Sequence, residues 1–160
     1  MGFFSLFSGL EFGFFSQVSA VTELKQMGEL LGLLKVVVVQ GKKLVTRDFI
    51  FKSSDPYVVV KLGDQEVFDK DRFKADDKMG HAYLNLQPLV SAARLSHALR
   101  VSSGEMALRK VVPDTDNCLV RESCISSING EVVQSVRLRL CAVESGEIEL
   151  KVRLIETSSR

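Results

Sequence analysis

Aspartates at the ends of two predicted strands are the residues best suited to chemistry. Asp48 and Asp55 belong to a first loop region. A second region, which follows the short predicted strand 66–68, carries four more, namely Asp69, Asp71, Asp76 and Asp77. So many carboxylates close to apolar strands are costly unless a cation neutralises them. Calcium is the natural partner because it accepts about six to eight hard oxygen ligands in flexible geometry.

The spacing of these aspartates is a weak signal when it is taken alone. Asp69 and Asp71 are two positions apart, so an extended chain directs both side chains to the same side. The pattern is not that of a helix-loop-helix calcium loop, because the glycine and the terminal glutamate of that loop are missing. Charged loops are also commonly no more than solvated segments. The residues alone therefore leave two interpretations open, a calcium site and a solvated acidic loop.

Other kinds of chemistry are not indicated. The net charge of +1 gives no general attraction to nucleic acid. Three cysteines without a CxxC motif, together with only two histidines, argue against a zinc site. We find no Ser/His/Asp set, no phosphate-binding loop and no dinucleotide fingerprint. We therefore expect a protein that is not an enzyme, whose cysteines are reduced and serve as half-buried packing residues.

Hydrophobic patterning predicts short strands separated by turns. Residues 33–39 and 57–62 are β-branched runs, and apolar residues alternate with charged ones after Gly146. The dipeptide Asn129-Gly130 is a strong hairpin signal between residues 123–128 and 131–140. This pattern indicates an all-β protein with an antiparallel sandwich.

One helical insertion interrupts the predicted strands. Residues 88–100 have helical composition, with Pro88 at the start and with Leu95 and Leu99 on one face. The N-terminal segment is a second irregularity, since six of the ten phenylalanines lie in residues 1–26. The apolar stretch within residues 2–22 is interrupted by Glu11 and is too short for a confident membrane span. We expect it to be a disordered extension or a shallow membrane anchor.

Four motifs follow one another along the first half of the chain. The run LGLLKVVVVQGKKL is followed by RD, by SSDPYVVVKLG and by VFDKDRFKADDKMG. In this order the motifs resemble those of the C2 domain. The later runs NCLVRESCISSINGEVVQSVRLRL and VESGEIEL are similar to the plant single-C2-domain family that is linked to abscisic acid, and also to the C2 part of plant ARF GTPase-activating proteins. This resemblance implies a C2-like domain over residues 27–157, with a helical and hairpin insertion at 88–140.

The resemblance implies a specific calcium site and a lipid-binding tip. The implied metal ligands are Asp48, Asp55, Asp69, Asp71 and Asp77, with Asp76 as a neighbour of lower rank. The apolar residues between the first two ligands either insert into the bilayer or pack locally: Phe49, Ile50 and Phe51. The cations among the aspartates either contact lipid phosphates or serve solubility: Lys52, Lys70, Arg72 and Lys74.

One block of the family pattern is absent. The family continues after SDPYVVVKLGD with about thirty residues that include two strands and a basic patch, whereas Gln65 here joins Glu66 at once. The sandwich is therefore expected to lack about two strands, which opens sheet edges that favour self-association.

The resemblance implies calcium-dependent binding of anionic phospholipid, with recruitment of an abscisic-acid receptor or a GTPase to the membrane. The expected locations are the cytoplasm, the periphery of the plasma membrane and the nucleus. Two alternatives stay open. One is a calcium-independent protein-interaction module that works through residues 88–140, and the other is an unstable splice form without independent activity.

Overall fold

The computed structural model describes residues 2–9, 19–26, 29–44, 55–62, 65–66, 77–99 and 103–155. Within these ranges the chain forms one helix and a series of strands. In chain order they are β1 (Gly2–Gly9), β2 (Ser19–Gln26), β3 (Glu29–Lys42), β4 (Asp55–Leu62), β5 (Gln65–Glu66), β6 (Asp77–Leu84), α1 (Gln87–Ala98), β7 (Glu105–Val111), β8 (Ser123–Ile128), β9 (Glu131–Arg139) and β10 (Glu147–Ile155).

The described strands form two antiparallel sheets. The small sheet has four strands in the order β5-β4-β1-β6, and the large sheet has six in the order β2-β3-β10-β9-β8-β7. Every strand pair in both sheets is antiparallel. This architecture confirms the predicted all-β, C2-like sandwich with one helix.

The core lies on one face of the large sheet. Leu34, Val36 and Val38 of β3 alternate inward, as do the apolar residues of β10. Strand β6 adds Ala82 and Leu84, both fully buried, and thereby brings the small sheet into the same core. The alternation of β10 follows the sequence prediction, because successive side chains of a strand point to opposite faces.

Helix α1 covers part of the same face. Pro88 lies in its first turn, where the missing amide hydrogen has no helical partner to lose. The side that packs on the sheet carries Leu89, Ala92 and Ala93. Leu95 and Leu99, which the sequence analysis placed together on one face, are exposed.

The hairpin predicted at Asn129-Gly130 is confirmed. Ile128 pairs with Glu131, so Asn129 and Gly130 form the whole turn between β8 and β9. Both have positive φ angles, 52° and 84°, as the tight hairpin turn requires. Strand β9 lies between β8 and β10, so residues 105–139 supply three of the six strands of the large sheet.

Two parts of residues 1–26, the segment expected to be a disordered extension or a shallow anchor, form strands. Strand β1 lies between β4 and β6 and pairs with both along its length, and β2 pairs with β3. The physical reason is that strand edges left open by the absent block find a partner within the same chain, and that the phenylalanine-rich β1 has high strand propensity. The domain boundary at residue 26 remains a prediction.

Candidate metal-binding edge

Two of the five predicted calcium ligands lie in described strands. Asp55 is the first residue of β4, and Asp77 is the first residue of β6. The remaining predicted site residues lie outside the described residues: Asp48, Asp69, Asp71, Asp76, Phe49, Ile50, Phe51, Lys52, Lys70, Arg72 and Lys74.

The register of the small sheet brings Asp55 and Asp77 to one edge. Both strands run antiparallel to β1, which lies between them. Asp55 is opposite Gly9 and Asp77 is opposite Ser8, so the two aspartates flank the last two residues of β1. Because two strand spacings separate them, their Cα atoms are about 10 Å apart. We name the end of the small sheet at which β4 and β6 begin, with Asp55 and Asp77, the acidic edge.

Chain connectivity attaches both predicted calcium loops to the acidic edge. Residues 45–54, which include Asp48, lead directly into Asp55. Residues 67–76, which include Asp69 and Asp71, lead directly into Asp77. Two segments that are far from contiguous in sequence thus enter the sheet on the same side. This arrangement fits calcium, because carboxylates from both segments could contribute to its about six to eight oxygen ligands.

The described residues do not complete a metal site by themselves. Among them, no group of three or more His, Cys, Asp or Glu residues is placed to hold a metal ion. A cation bound at the acidic edge would therefore take its further ligands from residues 45–54 and 67–76. In the same described part of the chain, no helix is long and apolar enough to cross a membrane.

A charged row crosses the outer face of the large sheet. Glu149 of β10 lies opposite Gln40 of β3 and Arg137 of β9. It accepts a hydrogen bond from Gln40 and forms ion pairs of 3.7 Å with both Lys42 and Arg137. The Gln40 hydrogen bond, followed by these cations, lowers the pKa of the Glu149 carboxyl. This row anchors β3, the strand whose end precedes the first loop.

The sequence analysis missed one close contact between two cysteine side chains. Cys118 and Cys141, which were interpreted as packing residues, lie with their Sγ atoms 3.6 Å apart. Burial is the main cause that raises the pKa of Cys118 to about 11. The neighbouring Cys118 also raises the pKa of the Tyr83 hydroxyl. No sequence signal indicated this pair, since 23 positions separate the two cysteines and strands β8 and β9 lie between them.

The sandwich with an acidic edge is the architecture of a C2 domain, and comparison with known families agrees. The C2 domain family model matches this chain in two pieces, residues 32–67 and residues 64–101. The two pieces overlap at residues 64–67, where the sequence analysis located the missing block. The chain belongs to the C2 domain family and, within it, to the plant C2-domain ABA-related proteins.

Individual relatives support this assignment. The protein C2-DOMAIN ABA-RELATED 11 of Arabidopsis thaliana is 61% identical over 162 residues, which cover 81% of this chain and 96% of the relative. The GTPase activating protein 1 of Oryza sativa subsp. japonica is 37% identical, with 81% of this chain and 95% of the relative covered. An ADP-ribosylation factor GTPase-activating protein of Arabidopsis thaliana is 35% identical, and the match spans 47% of it.

The alignment with the first of these relatives also confirms the internal deletion. It runs over 162 positions but covers only 81% of the 160 residues, which is about 130 residues. The difference, about 32 positions, is close to the block of about thirty residues whose absence the motif order indicated. The match to the C2 domain family begins at residue 32, after β1 and β2.

Proposed function

We propose that this protein binds anionic phospholipid in a calcium-dependent way and brings partner proteins to the membrane. The observation that carries the proposal is the register that sets Asp55 and Asp77 on the two sides of β1 at one edge. Membership of the C2 domain family supports a function of this calcium and membrane type.

The mechanism is electrostatic. Carboxylates gathered at the acidic edge repel an anionic bilayer until a cation is bound. Calcium held by Asp55 and Asp77, together with Asp48, Asp69 and Asp71 of the two adjoining segments, would reverse the local charge and attract phosphate headgroups. Lys52, Lys70, Arg72 and Lys74 would then contact phosphates directly, and Phe49, Ile50 and Phe51 would enter the interfacial layer.

The partner is proposed from the relatives. Their names refer to abscisic acid and to GTPase activation, so a receptor of that pathway or a GTPase is the partner class that we infer. The protein itself is proposed to act as a regulatory module, without catalysis, in the cytoplasm, at the periphery of the plasma membrane and in the nucleus.

The test is vesicle co-sedimentation. Vesicles of phosphatidylcholine with phosphatidylserine should bind the protein in calcium and release it in excess chelator, whereas pure phosphatidylcholine should not bind. The double variant Asp55→Asn, Asp77→Asn should lose most calcium-dependent binding. Glu105→Gln supplies the matched control, because Glu105 is an exposed carboxylate on β7, at the far side of the large sheet. Strong binding in chelator, or equal binding by the double variant, would contradict the proposal.

A second function is favoured by the exposed apolar residues of the insertion. Leu95, Leu99 and Val112 expose 45%, 56% and 58% of their surface. We propose, as the alternative, a calcium-independent contact with a protein partner through residues 88–140. Calorimetry separates the two functions, since the calcium-dependent function predicts a heat of calcium binding that the double aspartate variant lacks, and the alternative predicts none.

A further inference from the structure

Two thiols meet where the small sheet joins the large one. The Sγ atoms of Cys118 and Cys141 are 3.6 Å apart, and neither cysteine is in a disulfide. Cys118 is buried, with 8% of its surface exposed, whereas Cys141 is half-buried. A disulfide requires the sulfur atoms to approach to about 2.05 Å, so a short movement of the two side chains would be enough.

Backbone hydrogen bonds hold both cysteines against β6. The amide of Cys118 donates to the Tyr83 carbonyl at 2.9 Å, and the amide of Tyr83 donates to the Cys118 sulfur at 3.4 Å. Cys141 pairs with His81 through two backbone hydrogen bonds of 2.7 Å and 3.2 Å. The backbone positions of both cysteines are therefore fixed by the same strand, and this keeps the two thiols close together.

Gly80 reinforces this arrangement. A Cβ atom at this position would lie 2.8 Å from Val143 Cγ2 and 3.0 Å from the Cys141 carbonyl oxygen. The chain around Cys141 thus packs directly on the backbone of β6, and it has little freedom to move away from Cys118.

We propose that Cys118 and Cys141 are a peroxide-sensitive pair that forms a reversible disulfide. The thiolate of Cys141 attacks one oxygen of hydrogen peroxide, the O–O bond breaks, and the products are a sulfenic acid and hydroxide, which takes up a proton as water. The sulfur of Cys118 then attacks the sulfenic sulfur, the S–O bond breaks, and a second water leaves with the proton of the thiol. In total, two thiols lose two electrons and two protons, and one peroxide becomes two waters.

The geometry assigns the order of the two steps. Cys141 is the more accessible sulfur, so peroxide reaches it first. Cys118 is shielded from solvent, so peroxide does not reach it first, and its sulfur lies 3.6 Å from the sulfur of Cys141, where the sulfenic acid forms. Cys124, the third cysteine, is exposed on β8, and its nearest sulfur or oxygen contacts are Ser126 Oγ and a backbone carbonyl.

The disulfide would close a loop that contains β8, β9 and the hairpin turn. It would fasten both ends of this loop to β6, the strand that begins with Asp77 at the acidic edge. Closing a loop of this length reduces the entropy of the unfolded chain. We expect the oxidised protein to melt about 5–10 °C higher than the reduced protein.

Peptide mapping tests the proposal directly, because trypsin places each cysteine in a different peptide. Cys118 falls in residues 111–121, Cys124 in 122–137 and Cys141 in 140–151. The full chain is reduced, freed of reductant, exposed to hydrogen peroxide at a few equivalents, alkylated and digested. We expect a linked species of peptides 111–121 and 140–151, two hydrogens lighter than their sum, with peptide 122–137 alkylated. Thiol titration should fall from three to one and return to three with dithiothreitol.

Two variants make the outcome decisive. Cys124→Ser should form the same linked species and show the same rise in melting temperature. Cys141→Ser should show neither, although its reduced form should melt as the parent does, which separates loss of the disulfide from loss of the fold. Three free thiols after peroxide treatment, or a linkage that includes Cys124, would overturn the proposal. The readouts involve no calcium or lipid, so the result is independent of the membrane function proposed above.

Discussion

Gln40 and Glu149 join β3 to β10 through a side-chain hydrogen bond on the outer face of the large sheet, across 109 positions of the chain. The two residues lie opposite each other at a bulge, where β10 advances from Glu149 to Leu150 while β3 steps from Gln40 to Val38. The extra residue, Val39, is exposed. The end of β3 that leads toward the first acidic loop is therefore held by polar contacts as well as by the core.

This contact predicts a defined dependence of stability on pH. The pKa of Glu149 is lowered in the folded protein, so its carboxylate stabilises the fold above the unfolded pKa, near 4.5, and this contribution disappears as pH falls through the lower folded value. Glu149→Gln should therefore destabilise the protein at pH 7 and differ less from the parent as pH falls below about 4. Denaturant titrations between pH 3 and 7 measure this, with Glu105→Gln as the control. A constant difference across the range would contradict the assignment.

Removal of residues 1–26 is expected to damage the fold. The sequence analysis expected a disordered extension or a shallow membrane anchor here, but β1 is hydrogen-bonded on both sides and β2 extends the large sheet. Without them, β4 and β6 lose their shared neighbour, and open edges favour association with other chains. We expect a lower melting temperature and oligomers in size-exclusion chromatography with light scattering. A monomeric truncated protein with unchanged melting temperature would show that β1 and β2 add nothing to stability.

Gly80→Ala is expected to be more damaging than Gly104→Ala. Both glycines have positive φ angles, 109° and 83°, so alanine is strained at each by about 1–3 kcal/mol. Only at Gly80 would the new Cβ meet neighbours, namely Val143 and the Cys141 carbonyl, and overpacking adds about 1–3 kcal/mol. At Gly104 nothing lies within 4 Å. Urea titration of both variants tests this, and equal destabilisation would show that the segment around Cys141 moves aside freely.

Leu89 and Leu95 of α1 should respond differently to the same truncation. Leu89 is fully buried, so Leu89→Ala should cost about 2–5 kcal/mol through lost burial and the resulting cavity. Leu95 is 45% exposed, so Leu95→Ala should change stability by less than about 0.5 kcal/mol. Chemical denaturation of the two variants measures both values. If Leu95→Ala were the costlier change, the helix would pack through the face that carries Leu95 instead.

Local signals predicted the parts of the fold that local chemistry determines. Asn129-Gly130 specified its hairpin, and the alternation after Gly146 specified β10, because turn conformation and side-chain alternation depend on neighbouring residues. Strand β7 was missed, because its exposed edge position gives the burial of its residues no clean alternation. The location of β1 depends on the partners that the internal deletion left open, which no local pattern encodes.

The candidate site also has features that depend on local sequence and features that depend on long-range contacts. The sequence indicated which carboxylates could bind calcium, since residue type and motif order are local features. That Asp55 and Asp77 share one edge follows from the pairing of β1 with both strands, which is a long-range feature. The Cys118–Cys141 contact is also long-range, since it is produced by the backbone hydrogen bonds that both cysteines make with β6.

The pairing of β3 with β10 has a consequence for synthesis of the chain. Leu34 and Leu154 are opposite one another, so the large sheet cannot close on this side until the last strand has left the ribosome. At about 5–20 residues per second, this interval of 120 positions lasts about 6–24 s. During this time β3 lacks its β10 neighbour, and β2 is the strand that pairs with its other edge. We expect pairing of β2 with β3, which are close in sequence, to protect that edge of β3 from association with other chains before β10 is synthesised.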